Sequence, residues 1–206
     1  GEVKNRADVV IYWGSNPQHA HPRHLSRYGV FPRGYFTGKG YKGRKVIVVD
    51  PRYTDTARCA DHFLQVQQGH DYELFDAFRM VMHGYADKIP AIVAGVPKEK
   101  ILEVCEIIKG GRYVHIFFGM GLCHSDGRNH NVDIAINLVR DINEYTKCTI
   151  MNIRTNAEAR RSVSRTFSSI TVTIAISCCH NLKPEAVIVN IRTPIVLCYR
   201  CICSFT

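Results

Sequence analysis

The chain has 206 residues, 46% hydrophobic and 22% charged, a balance that supports a buried core and excludes a disordered polyelectrolyte. No apolar run reaches the roughly 18 residues a membrane-spanning helix needs, so no membrane span is expected. The net charge of +9 is uneven, since residues 151–206 hold seven Lys and Arg against two Asp and Glu. A basic nucleic-acid binder is thereby raised, with affinity falling steeply in salt, but no long Lys/Arg block supports it, and no nucleic-acid partner is expected. The chain starts Gly1-Glu2-Val3 with no Met and no apolar leader, so it is expected to begin inside a longer polypeptide. Four of the nine cysteines, Cys59, Cys105, Cys123 and Cys148, are scattered without metal-type spacing. They read as free thiols in a reducing cytoplasm.

Ala7–Gly14 (ADVVIYWG) is a short apolar run closed by Gly, the pattern of a buried parallel strand. A polar stretch with His and Pro follows over 15–33, with a partial helix between His24 and Tyr28 stopped by Gly29, and 34–44 is a Gly-rich loop. Lys45–Asp50 (KVIVVD) is a second buried strand, turned by Pro51-Arg52, and a short third strand, FLQV at 63–66, falls within Ala60–Gln67. Asp71–His83 has helical apolar spacing, with Asp71 as N-cap or first-turn acid. Pro97–Lys109 is a second amphipathic helix with Ile101, Leu102, Val104, Cys105 and Ile108 on one face, ended by Gly110-Gly111. Tyr113–Phe118 is a strand turned by Gly119-Met120-Gly121. Asn129–Glu144 is a helix with Val132, Ala135, Ile136, Val139 and Ile142 facing inward. Strands alternating with helices predict an α/β fold, a Rossmann-like open parallel sheet flanked by helices. The alternation is lost over 151–206, where Ser/Thr/Arg runs give way to an apolar Thr/Ile stretch and a cysteine cluster.

In such sheets ligands bind beyond the carboxyl ends of the strands, where free amides gather. Three segments leave strands there: Trp13-Gly14-Ser15-Asn16-Pro17, Asp50-Pro51-Arg52-Tyr53-Thr54-Asp55-Thr56, and Phe118-Gly119-Met120-Gly121. Small glycines admit phosphate, a strand-end carboxylate suits ribose hydroxyls, and Arg and Thr bind phosphate oxygens. Taken singly each segment is only a turn, and no GxGxxG dinucleotide fingerprint is present. His19, His21 and His24 raise a metal site, but no acid or Cys lies nearby in sequence to complete a ligand set. A hydrogen-bonding role for His21 beside a phosphate or pterin fits its position better. In the tail, Cys198, Cys201 and Cys203 form half of a zinc or iron–sulfur pattern, completed only if Cys178, Cys179 and His180 contribute.

In combination, NRADVVIYWGSNPQHAHPRHLSRYGVFPRGYF and KVIVVDPRYTDTARCADHFLQVQQGHDYELFDAFR resemble the molybdopterin oxidoreductase family, with its G-x-N-P, His-Pro, D-P-R, Ala-Asp and Gly-x-Asp signatures. The HAHPRHLSRY…FPRG block and GMGLCHSDGRNHNVDIAINLVRDINEYTK are similar, more particularly, to the B subunits of formylmethanofuran dehydrogenases. The resemblance covers about residues 5–154. It implies α/β domains around two molybdopterin guanine dinucleotides that carry Mo or W, one of them met by the residues below, with iron–sulfur centres feeding electrons to carbon dioxide reduction toward N-formylmethanofuran. It also implies partner subunits of the same enzyme, among them one that carries formyl transfer and others that carry iron–sulfur centres. Carried over by position, Gly14, Ser15, Asn16 and His21 meet the dinucleotide phosphates. Asp50, Arg52 and Thr54 line its ribose and guanine end, Gly69 and Asp71 hold the guanine base, and Gly119 and Gly121 lie near the pterin. Arg154 aligns with an active-site arginine. The iron–sulfur cysteines and the Cys or selenocysteine on the metal fall before residue 1 in that pattern, so no metal ligand is assigned and no turnover is expected from this stretch alone. After Arg154 the chain reads Thr155-Asn156-Ala157 where the family has Arg-Gly-aromatic, which predicts a cofactor-binding region over 1–154 and an aberrant, poorly packed tail over 155–206. The alternatives are another molybdopterin enzyme such as a formate dehydrogenase, or a non-catalytic nucleotide-binding module.

Overall fold

The structure is a computed structural model that describes residues 1–127 and 129–153. Arg154 and the 155–206 tail, including its cysteine cluster, lie outside the described residues. In chain order come α1 (Glu2–Arg6), β1 (Val9–Trp13), α2 (Pro17–Ala20), a single π-helical turn at His24–Tyr28, and β2 (Lys45–Val49). Then follow β3 (His62–Leu64), α3 (Asp71–Met82), a small hairpin of β4 (Ile92–Val93) and β5 (Val96–Pro97), and α4 (Lys98–Gly110). The last elements are β6 (Tyr113–Phe118), α5 (Met120–His124), α6 (Asn129–Ile142) and β7 (Lys147–Asn152).

Five parallel strands form the main sheet in the order β3-β2-β1-β6-β7. Their ends are level, with Trp13 opposite Val49 and Phe118, Val49 opposite Leu64, and Phe118 opposite Asn152. The chain moves outward from β1 through β2 to β3, then returns to β1's other side for β6 and β7. The order therefore reverses between β1 and β6, where open α/β sheets form a crevice.

Strand residues alternate between two cores, because successive side chains point to opposite faces. Val9, Ile11, Trp13, Ile47, Val49, Val114 and Ile116 face one core with the apolar stripes of α3, α4 and α6. Val10, Tyr12, Val46, Val48 and Phe117 face the other, with α1, Leu25, Val30 and Ala57. Regular helices of three turns or more thus cover only one face. The β1–β2 crossover, residues 14–44, covers the other with short turns and loop, held by Arg44. The Arg44 guanidinium donates to the carbonyls of Ala7 (3.0 Å), Pro32 (2.7 Å), Val30 and Lys4 and to Thr37 Oγ1 (2.6 Å). Five acceptors satisfy a buried cation that forms no ion pair with a carboxylate among the described residues.

On this irregular side Tyr12 stacks on Phe117, and His24 and His115 meet Phe117 edge-on. His115 Nδ1 lies 2.5 Å from Thr149 Oγ1. Burial depresses both imidazoles, to about 4 for His24 (with His21 nearby adding to it) and about 3 for His115 (with His24 adding to it), so both are neutral at pH 7.

Several expectations shift. The third strand contracts to His62–Leu64. Gly119-Met120-Gly121 opens the short helix α5 rather than a simple loop. The α6 face that packs inward is Ile134, Ala135, Leu138, Val139 and Ile142, while Val132 and Ile136 are only half-buried, because two apolar stripes compete on that helix and the sheet selects one. Leu102 is half-buried at the margin of the α4 stripe. β7 was not anticipated. The four described cysteines are unpaired. Among the described residues no helix is long and apolar enough to cross a membrane.

Candidate functional site at the carboxyl edge of the sheet

Residues 14–21, 50–54, 69–71 and 119–121 all follow the level carboxyl ends of β1, β2, β3 and β6, four adjacent strands. Strand register alone therefore puts every described candidate on one edge. The loops are then tied to one another. Gly14 N–H donates to Val49 O at 2.9 Å, Asp50 N–H to Leu64 O at 3.2 Å, and Gly119 N–H to Trp13 O at 2.9 Å.

The glycines have a mutual cause. Gly14 has φ +55°, a left-handed conformation that side chains resist. Gly121 N–H donates to Gly14 O at 3.2 Å. A Cβ at Gly119 would collide with that same oxygen, and one at Gly121 would lie 2.8 Å from it. The two loops at the reversal of strand order thus interlock backbone to backbone. Above them the amides of Ser15 and Asn16 have no backbone acceptor among the described residues. Ser15 Oγ and His21 Nδ1 are buried without a partner there. His21 terminates α2, its N–H bonded to Pro17 O. Orphaned buried polar atoms carry a penalty of roughly 1–3 kcal/mol each unless something binds them, and unpaired amides with a hydroxyl and an imidazole suit a phosphate.

The β2 loop is braced against the β1 loop by Thr56, which the sequence offered only as one residue of a longer turn. Its Oγ1 donates to Asn16 Oδ1 at 2.7 Å and accepts from Gln18 N–H at 3.2 Å. Asp50 is 4% exposed. Its Oδ1 accepts from Arg52 N–H at 2.9 Å, and the Arg52 side chain projects into solvent with its Nε 4.0 Å away. Thr54 Oγ1 accepts from Ala57 N–H at 3.2 Å, so its hydroxyl shapes the turn as well as facing the edge.

Asp71 is 6% exposed and stands in the first turn of α3, where His70 rather than Asp71 takes the N-cap position. Its Oδ1 accepts from the Trp13 indole N–H at 2.8 Å. Trp13 in turn stacks on Phe75 of α3 with ring centroids 3.6 Å apart. Nothing in the spacing of the sequence announces this pair, since the residues lie 58 apart. Burial raises the pKa of Asp71, opposed by the hydrogen bonds of Trp13 and Ser125. Burial also raises Asp50, opposed by Arg52, with Asp71 adding a smaller upward push. Gly69, at φ +87°, would place a Cβ 3.0 Å from Asp126 Oδ2, so the α5–α6 loop closes over the β3–α3 loop. A separate shallow cleft between Asp61–Leu64 and α4 lies on the outer sheet edge, away from these loops. Among the described residues no three His, Cys, Asp or Glu side chains are grouped to hold a metal ion.

This set of groups suits an anionic ligand that also carries N–H or hydroxyl donors: unpartnered polar atoms and amides follow β1, and buried carboxylates follow β2 and open α3. The B subunit of the tungsten-containing formylmethanofuran dehydrogenase 2 of Methanocaldococcus jannaschii is 53% identical over 154 residues, 75% of this chain and 35% of that protein. Its counterpart in Methanococcus maripaludis is 51% identical over the same shares. The alpha subunit of the F420-dependent formate dehydrogenase 2 of M. maripaludis is 26% identical over 65% of this chain and 22% of its own. The chain thus spans about a third of the length of these two formylmethanofuran dehydrogenase relatives. In fold it is similar to a chain of the formyltransferase/hydrolase complex of Methylorubrum extorquens, with a TM-score of 0.53 over 79% of this chain and 41% of that one, at 16% identity. A model of the molybdopterin oxidoreductase family matches residues 4–193, and with the sheet and its edge as described, the chain belongs to the molybdopterin oxidoreductase family.

Proposed function

We propose that the chain is part of the catalytic B subunit of a formylmethanofuran dehydrogenase, which reduces carbon dioxide toward N-formylmethanofuran, and that its carboxyl edge grips a molybdopterin guanine dinucleotide bearing Mo or W. The observation that carries this reading is that two unpartnered buried polar atoms, Ser15 Oγ and His21 Nδ1, and two buried carboxylates, Asp50 and Asp71, belong to segments leaving the same sheet edge. Identity of 53% to the B subunit of a tungsten-containing enzyme, against 26% to a formate dehydrogenase chain, favours this enzyme over the formate dehydrogenase alternative.

When bound, the metal–pterin group supplies the redox chemistry; the residues here bind and orient it. Ser15, His21 and the amides of Ser15 and Asn16 donate to the pyrophosphate. Asp50 accepts from a ribose hydroxyl, and exposed Arg52 adds positive charge. Asp71 accepts the guanine N1–H and N2–H. The Trp13 bond occupies one lone-pair site of Oδ1 and fixes the rotamer, and the carboxylate keeps further acceptor sites. Residues 1–154 are assigned to this binding region. Electrons arrive through iron–sulfur centres of the full subunit and its partners, and the formyl-transfer step belongs to a partner subunit.

The test uses the full-length protein within its complex. Asp71→Asn replaces one acceptor oxygen with an NH2 donor facing guanine donors, and it is expected to cut retained guanine dinucleotide about tenfold or more. Release of the cofactor and quantification of guanine monophosphate per chain reads this. Full retention in both Asp71→Asn and Ser15→Ala overturns the reading.

A further inference from the structure

We infer that the irregular β1–β2 crossover is a docking surface for an acidic face of a partner protein. The inference rests on the proposed function to this extent: it supplies the surface through which a chain of that kind joins its assembly.

Three independent features converge. The first is architectural. The crossover between adjacent parallel strands usually carries a helix that covers the sheet. Here residues 29–44 form a loop containing one 3-10 turn, and loops of this length in compact domains are usually functional. The second is rigidity. Arg44 gathers five oxygens from α1, the loop and Thr37. Asn5 takes Tyr35 N–H on its Oδ1 at 3.1 Å and Phe36 N–H on its carbonyl at 3.1 Å. Gly34 packs so tightly on α1 that a Cβ would collide with the Lys4 carbonyl. The backbone of the loop tip is therefore fixed, yet its side chains face water: Tyr35 is 86% exposed and Phe36 57%. Holding aromatic side chains out on a pre-ordered backbone lowers the entropy lost on binding, and aromatic and Arg side chains are those that dominate protein interfaces.

The third is charge. No Asp or Glu occurs from Val9 to Val49, while Arg23, Arg27, Arg33, Lys39 and Lys42 are all on the surface of this stretch. Glu2 borders the patch but is paired to Arg6, which itself lies over the Phe36 ring, so the stretch with five cations and no acid of its own complements an acidic surface and repels basic ones. The exposed rings are paired edge-on, Tyr35 with Phe36 at 4.8 Å and Phe31 with Tyr41 at 5.5 Å. Rings arranged in this way do not form the row of open faces on which successive nucleic-acid bases stack. That favours a protein partner, as does similarity to proteins that are themselves single subunits of larger enzymes.

The experiment uses the full-length protein in its complete enzyme, purified through a tag on another subunit. Arg33→Glu, Lys39→Glu and Lys42→Glu are combined, all on surface side chains outside the cofactor edge. Recovery of this chain with the tagged subunit is expected to fall roughly tenfold at moderate salt, with guanine dinucleotide per chain unchanged. In an otherwise unaltered enzyme, a photo-crosslinking phenylalanine analogue at Tyr35 is expected to join an Asp/Glu-rich segment of another subunit. The crosslink decides the matter if the charge-reversed chain misfolds. Unchanged recovery, crosslinks confined to the same polypeptide, or crosslinks to RNA overturn the inference. A chain that docks normally but holds no pterin overturns the proposed function and leaves the docking surface standing.

Discussion

Gly119→Ala would drive a methyl group into the Gly14 carbonyl oxygen, a contact no rotamer change relieves because both positions are fixed by backbone. The expected cost is about 1–3 kcal/mol, read as a lower urea midpoint at an unchanged slope. Asp71→Asn behaves in the opposite way. Its amide oxygen can still accept from Trp13, but the buried charge is gone. Because the folded pKa of Asp71 is raised, its stabilising contribution is full below the unfolded value of 3.8 and is lost as pH rises through the folded value. The variant should therefore gain in Tm relative to the parent at pH 7, and the gain should shrink by pH 4. A variant that loses more at pH 7 than at pH 4 contradicts this account. Asp71 was legible in the sequence as a first-turn acid and as the match to a Gly-x-Asp motif. Its Trp13 partner was not, because only the fold brings the end of β1 to the start of α3.

Between elements, α3 and α6 are clamped through Asp141, which is buried and receives Arg79 Nε at 2.6 Å and lies 3.2 Å from His83 Nε2. Asp141→Ala removes the shared acceptor. A loss of about 2–4 kcal/mol is expected, below the range for a fully enclosed pair because Arg79 keeps some access to water. The crossover depends on Arg44 in the same way. Arg44→Met leaves five oxygens without their donor, and amide exchange over 30–37 should quicken well before the main sheet opens. The strands β1, β2 and β6 were readable because buried parallel strands are continuous apolar runs ending in turn residues. β7 was not, since Lys147-Cys148-Thr149-Ile150-Met151-Asn152 sits at one end of the sheet's strand order and only Cys148 and Ile150 are buried. The α6 face was misjudged for a related reason: a helix with two apolar stripes does not declare which one meets the sheet.

Across the whole molecule the two faces of the sheet respond differently to acid. His24 and His115 are neutral on the irregular face, with folded values of about 4 and about 3. A depressed folded pKa contributes stability that is present above the unfolded value of 6.5 and lost as pH falls toward those folded values. Asp50 and Asp71 act in the other direction. The histidine contribution to thermal stability is thus expected to decline between about pH 6.5 and 4, opposed by the two carboxylates. His115→Gln, which keeps a polar group for Thr149 without a titrating ring, should flatten that decline. The parallel α/β class and the shared edge were foreseeable from the alternation of strands, turns and helices. The unequal covering of the two faces was not, because a Gly-rich, basic loop reads as solvent-facing until the buried oxygens around Arg44 are seen.

The chain contains a single tryptophan, and it is the one that reaches the candidate carboxylate. Its indole is stacked at 3.6 Å on Phe75 and bonded to Asp71, so its emission reports on that carboxylate and on little else. The molecule in effect carries a built-in fluorophore beside the carboxylate proposed to receive a guanine, and occupancy of that proposed site can be followed by light without attaching a label.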